Sequence, residues 1–160
     1  MGTIYDLIII GGGPGGIGSV VEAKELGLEK VLLIEKTENH SHTIRKFYKD
    51  KKRVDKDWQG QAVELEGSVD FVDGTKESTL DYFDKLLNDE VIDSKFNCEV
   101  QKVNKLDDIF TVETSGGEFQ SKNVIVSIGR MGKPNKPNYK IPASIMQMEA
   151  MNSTTELFMP

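Results

Sequence analysis

The hydrophobic positions change their period several times along the chain. Residues 3–10, TIYDLIII, form a β-branched apolar run that stops at a glycine, the pattern of a buried strand. Beyond the glycines, Ile17, Val20, Val21 and Leu26 recur at helical spacing, and Gly27 stands where a helix C-terminal glycine belongs. The helix is expected to open at Gly15 or Gly16. KVLLIE, residues 30–35, is a second continuous apolar run and predicts a second buried strand. Farther on, Leu80, Phe83, Leu86 and Leu87 share one face of a helix over roughly 79–91, with Ser78 as its N-cap and Asp81 three residues on. KFNCEVQKV, IFTVETS, GEFQSK and NVIVSIG then read as strands, with a hairpin turn at Gly116-Gly117. The expected architecture is α/β. A parallel sheet of residues 4–10, 30–35, about 96–103 and 122–128 carries an antiparallel β-meander insert.

The turn between the first strand and helix is Gly11-Gly12-Gly13-Pro14-Gly15-Gly16, which fits G-x-G-x-x-G. The spacing has a mechanism. Gly11 allows the tight turn, Gly13 lets a pyrophosphate approach the backbone, and Gly16 lets the helix pack close to the strand. The helix N-terminus then offers unpaired N–H groups and positive dipole to the phosphates. Glu35 lies nineteen residues after Gly16, at the tip of the second strand. A carboxylate there can accept hydrogen bonds from a ribose diol and would repel a 2′-phosphate. Strand, glycine turn, helix, second strand and acid coincide, and the fold expected is a Rossmann-like dinucleotide-binding unit. Val20 stands where many such helices carry a small residue, and Gly18 weakens the first turn slightly.

Length and charge narrow the rest. The chain has 160 residues, enough for one well-buried domain and not for two. Its net charge of -6 argues against general nucleic-acid binding, which needs positive surface. Leu7–Ile10 is too short for a secretory signal or a membrane span, so a soluble cytoplasmic protein is expected. The one cysteine, Cys98, cannot form an internal disulfide or a CxxC pair, and packing is its expected role. The two histidines, His40 and His42, are too few for a metal site, and none is expected.

DLIIIGGGPGGIGS, with Pro14, resembles the N-terminal FAD-binding segment of the two-dinucleotide-fold flavoproteins. These are the pyridine-nucleotide-dependent reductases, thioredoxin-reductase-like proteins and flavin monooxygenases. KNVIVSIGRMGKPNKP, residues 122–137, resembles their second signature, where the chain leaves the FAD domain. The resemblance covers about residues 4–140. It implies FAD held by Gly11, Gly13, Pro14, Gly15, Gly16 and Glu35, with Lys36 beside the acid and Gly129 in the second signature. It also implies hydride transfer from NAD(P)H to the flavin and electron transfer to an acceptor the sequence does not name.

In that family the second signature leads to an NAD(P)H domain with its own glycine fingerprint. Residues 130–160 hold one glycine, Gly132, and MNSTTELFMP at 151–160 resembles the start of a return segment. The expected division is therefore an FAD-binding domain at 1–130 and an exit linker with a partial return segment at 131–160. The NAD(P)H domain would be absent through truncation and supplied by a partner, with a homodimer as another option. Two other readings stay open: an NAD-binding dehydrogenase domain, and a non-catalytic dinucleotide-binding module.

The connection at 40–58 is the remaining candidate. Residues 45–57 carry seven basic and three acidic side chains in an otherwise acidic protein. If it lies over the flavin, His40, His42 and Arg45 approach the pyrophosphate or ring, with His42 and Arg45 the residues singled out. Trp58 is expected to fill a satellite core.

Overall fold

The computed structural model describes residues 2–57, 60–88 and 92–129. In chain order its elements are β1 (Ile4–Tyr5), β2 (Leu7–Ile10), α1 (Pro14–Glu25), β3 (Val31–Ile34), α2 (His42–Phe47) and β4 (Arg53–Val54). There follow β5 (Gly74–Thr75), α3 (Lys76–Leu87), β6 (Ile92–Lys95), β7 (Val100–Leu106), β8 (Ile109–Thr114), β9 (Gly117–Ser121) and β10 (Val124–Val126). Trp58 and residues 130–160, including the expected return segment, lie outside the described residues.

A parallel sheet runs in the order β10-β2-β3-β6. Leu7 to Ile10 align with Val31 to Ile34 on one side, and Ile8 to Ile10 with Val124 to Val126 on the other. The chain moves outward from β2 through β3 to β6, then returns to β2's other side at β10. That reversal makes the C-terminal ends of β2 and β10 a topological switch point, the place where α/β sheets of this kind leave a crevice.

The unbroken apolar runs follow from burial on both faces. Leu7, Ile9, Val31 and Leu33 turn toward α1 and pack with Val20 and Ala23. Ile8, Ile10, Leu32 and Ile34 turn the other way, against Cys98 and Val112. The second face is covered by a sheet in the order β1-β9-β8-β7, the expected meander, with antiparallel β7-β8 and β8-β9 pairs. Ile17 of α1, Ile44 of α2, and Leu80 and Phe83 of α3 form a third cluster among the helices.

Several boundaries differ from the expected ones. The first apolar run is two strands, not one. Asp6 interrupts it, accepting from Lys122 Nζ at 2.7 Å and from the Lys30 N–H at 3.3 Å, so β1 pairs with β9 of the meander and only β2 enters the parallel sheet. The outer parallel strand is β6, Ile92–Lys95, rather than 96–103. The chain turns at Asn97, whose φ is 52°, and Val100–Leu106 belongs to the meander.

Helix α1 opens at Pro14, one residue before the expected start, because proline's fixed φ suits the first helical position, where no N–H partner is lost. Its buried stripe is Gly16, Ile17, Val20 and Ala23, while Leu26 is 79% exposed at the C-cap. Gly27 does close the helix. With φ at 82°, its N–H donates to the Lys24 carbonyl and that of Leu28 to the Ala23 carbonyl, a Schellman pair. Helix α3 spans Lys76–Leu87 and is capped by Thr75, not Ser78. Ser78 is instead the third helical residue of a capping box, and its hydroxyl takes the Thr75 N–H at 2.9 Å.

Candidate functional site

The glycine turn sits at the switch point. Gly11 extends the β2–β3 pairing, its N–H donating to the Ile34 carbonyl at 2.8 Å, and on the other side the Ser127 N–H donates to the Ile10 carbonyl at 2.8 Å. Gly11 has φ at 108°, and a Cβ there would run into the Ser127 backbone, so only glycine satisfies both demands. At Gly16 a Cβ would collide with the Gly11 carbonyl, so its absence lets α1 start directly on the turn. Gly13 is the opposite case. A Cβ there would meet nothing within 4 Å, and the space beside this N-cap residue is open. No acidic side chain occupies the first turn of α1 and no side chain caps it, so its N–H groups and dipole face that space uncompensated.

Glu35, at the end of β3, turns toward the loop and is only 9% exposed. Its Oε2 accepts the Gly12 N–H at 2.7 Å, and its Oε1 accepts the N–H and hydroxyl of Thr37 at 2.9 and 2.8 Å. Ser127 stands opposite, its hydroxyl close enough to Gly15 that a Cβ there would lie 2.7 Å from it. Acid, glycine turn and Ser127 therefore converge. Pro14 and Gly15 are exposed at the helix start, Lys36 is exposed beside Glu35, and Gly129 is exposed with φ at 68° just beyond β10.

The long connection returns to this loop at Ser41, whose N–H donates to the Gly12 carbonyl at 2.7 Å. The two histidines divide here. His42 is exposed at the start of α2, whereas His40 is buried at 2% and sits edge-on to Phe83, with ring centroids 6.3 Å apart. His40 Nε2 lies 2.8 Å from Asp84 Oδ1 and 2.7 Å from Arg45 Nη2. A single ring nitrogen serves only one of these at a time, as donor to the carboxylate or as acceptor from the guanidinium. Burial, aided by the Arg45 charge, holds the His40 pKa below its ordinary value against the opposing pull of Asp84 and Glu35. Arg45 is thus half-buried in a cluster with His40 and Asp84. Asp84 has no sequence signal of its own, since it stands on α3, distant in the chain from both partners.

Cys98 is buried, and its thiol donates to Thr114 Oγ1 at 3.2 Å. Among the described residues, no helix is long and apolar enough to cross a membrane.

A strand, a glycine turn and a helix, with open space beside Gly13 and an acid at the next strand tip, is the arrangement of the dinucleotide-binding fold. The family profile described as pyridine nucleotide-disulphide oxidoreductase matches residues 8–159. The chain belongs to this family. Solved structures show the same fold. Bacillithiol disulfide reductase of Staphylococcus aureus is 22% identical, with a TM-score of 0.63 over 80% of this chain and 39% of its own. Thioredoxin reductase of T. acidophilum is 22% identical, with a TM-score of 0.60 over 81% and 36%. A cyclohexanone monooxygenase variant from Rhodococcus sp. Phi1, bound to NADP+, is 21% identical, with a TM-score of 0.64 over 87% and 29%. The chain spans less than half the length of each of these structures. No curated protein matches the sequence.

Proposed function

We propose that this chain binds FAD and forms the flavin-holding part of an NAD(P)H-dependent oxidoreductase. The observation that carries the reading is the open space at Gly13, beside the uncapped N-terminus of α1 and within the loop that Glu35 bonds. Membership of the pyridine nucleotide-disulphide oxidoreductase family supports it. In this reading the α1 N–H groups take the pyrophosphate and Glu35 accepts a hydroxyl of the adenosine ribose. Pro14 and Gly15 border the phosphates, Ser127 and Gly129 border the crevice from β10, and Lys36 lies at its outer rim. FAD would supply the electron transfer, and the protein's part is to hold and orient it.

Disulfide exchange needs two thiols, and the 160 residues contain one, so electrons would leave this chain without an internal dithiol relay. The nicotinamide donor's site is assigned to a second domain, in the same or another polypeptide, because the matched structures extend well beyond the region shared with this chain. The reading places the protein in the cytoplasm.

The test is equilibrium binding of FAD and of NAD+ to the purified chain, followed by flavin absorbance and by calorimetry. FAD binding with the flavin spectrum perturbed supports the reading. Preference for NAD+ favours a dehydrogenase domain instead. FAD binding with no reduction by NADH or NADPH, even when a separate nicotinamide-binding domain is supplied, favours a non-catalytic module.

A further inference from the structure

The peptide joining Gly12 to Gly13 is held from outside the glycine turn. The Gly12 carbonyl accepts the Ser41 N–H at 2.7 Å. That carbonyl shares its peptide unit with the Gly13 N–H, and in a trans peptide the two point in opposite directions. Binding the carbonyl to Ser41 therefore turns the Gly13 N–H away from Ser41. Ser41 reaches Gly12 from an unusual backbone state, with φ at 53° and ψ at 38°, a left-handed conformation that few non-glycine residues adopt. Something must hold it there.

The holding groups are on the residues around it. His40 Nδ1 lies 3.0 Å from Ser41 Oγ. The His40 carbonyl accepts from Arg45 Nε at 2.9 Å, and the Ser41 carbonyl accepts the Arg45 N–H at 3.0 Å. Asp84 braces the other side, 2.8 Å from His40 Nε2 and 3.2 Å from Arg45 Nη2. The imidazole is buried, so its orientation is fixed by packing as well as by hydrogen bonds.

We infer that His40, braced by Asp84 and Arg45, is a positioning residue for the dinucleotide: it keeps Ser41 in its left-handed turn and so aims the Gly13 N–H at the pyrophosphate. The inference rests on the pyrophosphate site proposed above and adds to it a group that touches no ligand. It assigns the long charged connection a purpose in binding, through its first residues rather than its lysines.

The test uses ADP, which carries the ribose and pyrophosphate common to FAD and NAD, titrated into the flavin-free chain. The readouts are calorimetric affinity, the thermal midpoint and the amide resonance of Gly13. The wild-type chain should bind ADP and shift that resonance. Asp84→Ala removes a side chain that is 56% exposed, so the fold should persist. ADP affinity should fall about tenfold, the scale of one hydrogen bond to a charged group, and the Gly13 resonance of the free protein should move. His40→Ala should do the same, and His40→Asn, which keeps a polar atom near Ser41, should recover part of the loss. If His40→Ala does not fold, Asp84→Ala decides. Wild-type affinity in the folded variants overturns the inference, and so does weakened binding with the free Gly13 resonance unmoved. A wild-type chain that leaves the Gly11 to Gly16 amides unperturbed by ADP overturns the underlying site, a distinct result because no affinity exists for a variant to lose.

Discussion

The Glu35 carboxylate and the Gly12 N–H meet at 2.7 Å, so the acid that the proposed ribose site needs is also a structural clamp on the glycine turn. A carboxylate has about four acceptor positions, and Gly12 and Thr37 fill three of those on Glu35. One position is left for a ribose hydroxyl. Glu35→Ala should therefore lower unfolding stability even without ligand, by about 1–3 kcal/mol for leaving buried donors unpaired. A urea titration of the flavin-free variant checks this. Unchanged stability would mean the clamp is not formed in solution.

Gly13 and Gly16 should respond differently to added side chains. Gly13→Val places its Cβ in open space, so the stability cost should be about 1 kcal/mol, that of a poorer N-cap, while FAD or ADP binding is lost. Gly16→Ala drives a methyl into the Gly11 carbonyl and should destabilise by about 1–3 kcal/mol. Paired denaturation curves and ligand titrations separate the two. A fully binding Gly13→Val protein contradicts the phosphate assignment.

Gly27→Ala supplies a control remote from the loop. The position is roomy, but its φ of 82° disfavours a Cβ, so the change should cost about 1 kcal/mol and leave ADP affinity intact. Thermal melts and calorimetry of one preparation measure both.

His40 predicts a pH dependence. Its folded pKa lies below the unfolded value of about 6.5, so between the two the unfolded chain binds more protons. Stability contributed by neutral His40 is complete above about pH 6.5 and is lost as pH falls through that value toward the folded pKa. The thermal midpoint should drop on acidification from pH 7.5 to 5.5, and His40→Asn should flatten this part of the curve. An equal slope in the variant would assign the effect to other groups.

How legible these features were in the sequence depended on how local their causes are. The runs Leu7–Ile10 and Val31–Ile34 announced strands covered on both faces because every position is apolar. The glycine turn and Glu35 were legible because their spacing has a local mechanism. The break at Asp6 was not, since Lys122, one of its two partners, is brought beside it only by the β1–β9 pairing. The outer strand β6 escaped because Ile92–Lys95 is short, polar at three of its four positions and paired on one side only among the described residues. Thr75 and Ser78 both suit an N-cap and each side chain accepts the other's N–H; Thr75 is the cap because its backbone is still extended, while Ser78 already lies within the helix. His40 and His42 have similar surroundings in the sequence, and the difference between them comes from Asp84 and Phe83 on α3.

The position of Ser127 against Gly11 sets an order on synthesis. The turn leaves the ribosome well before its far wall, which is made by the last described strand. The β2–α1–β3 segment can condense early from local contacts, while the β2–β10 pairing must wait for the 89 residues between Ile34 and Val124. Throughout translation of that stretch, one edge of β2 stays unpaired and the cradle lacks a side. A nascent chain stalled before Val124 would thus contain every residue of the glycine fingerprint and still lack one wall of the proposed site.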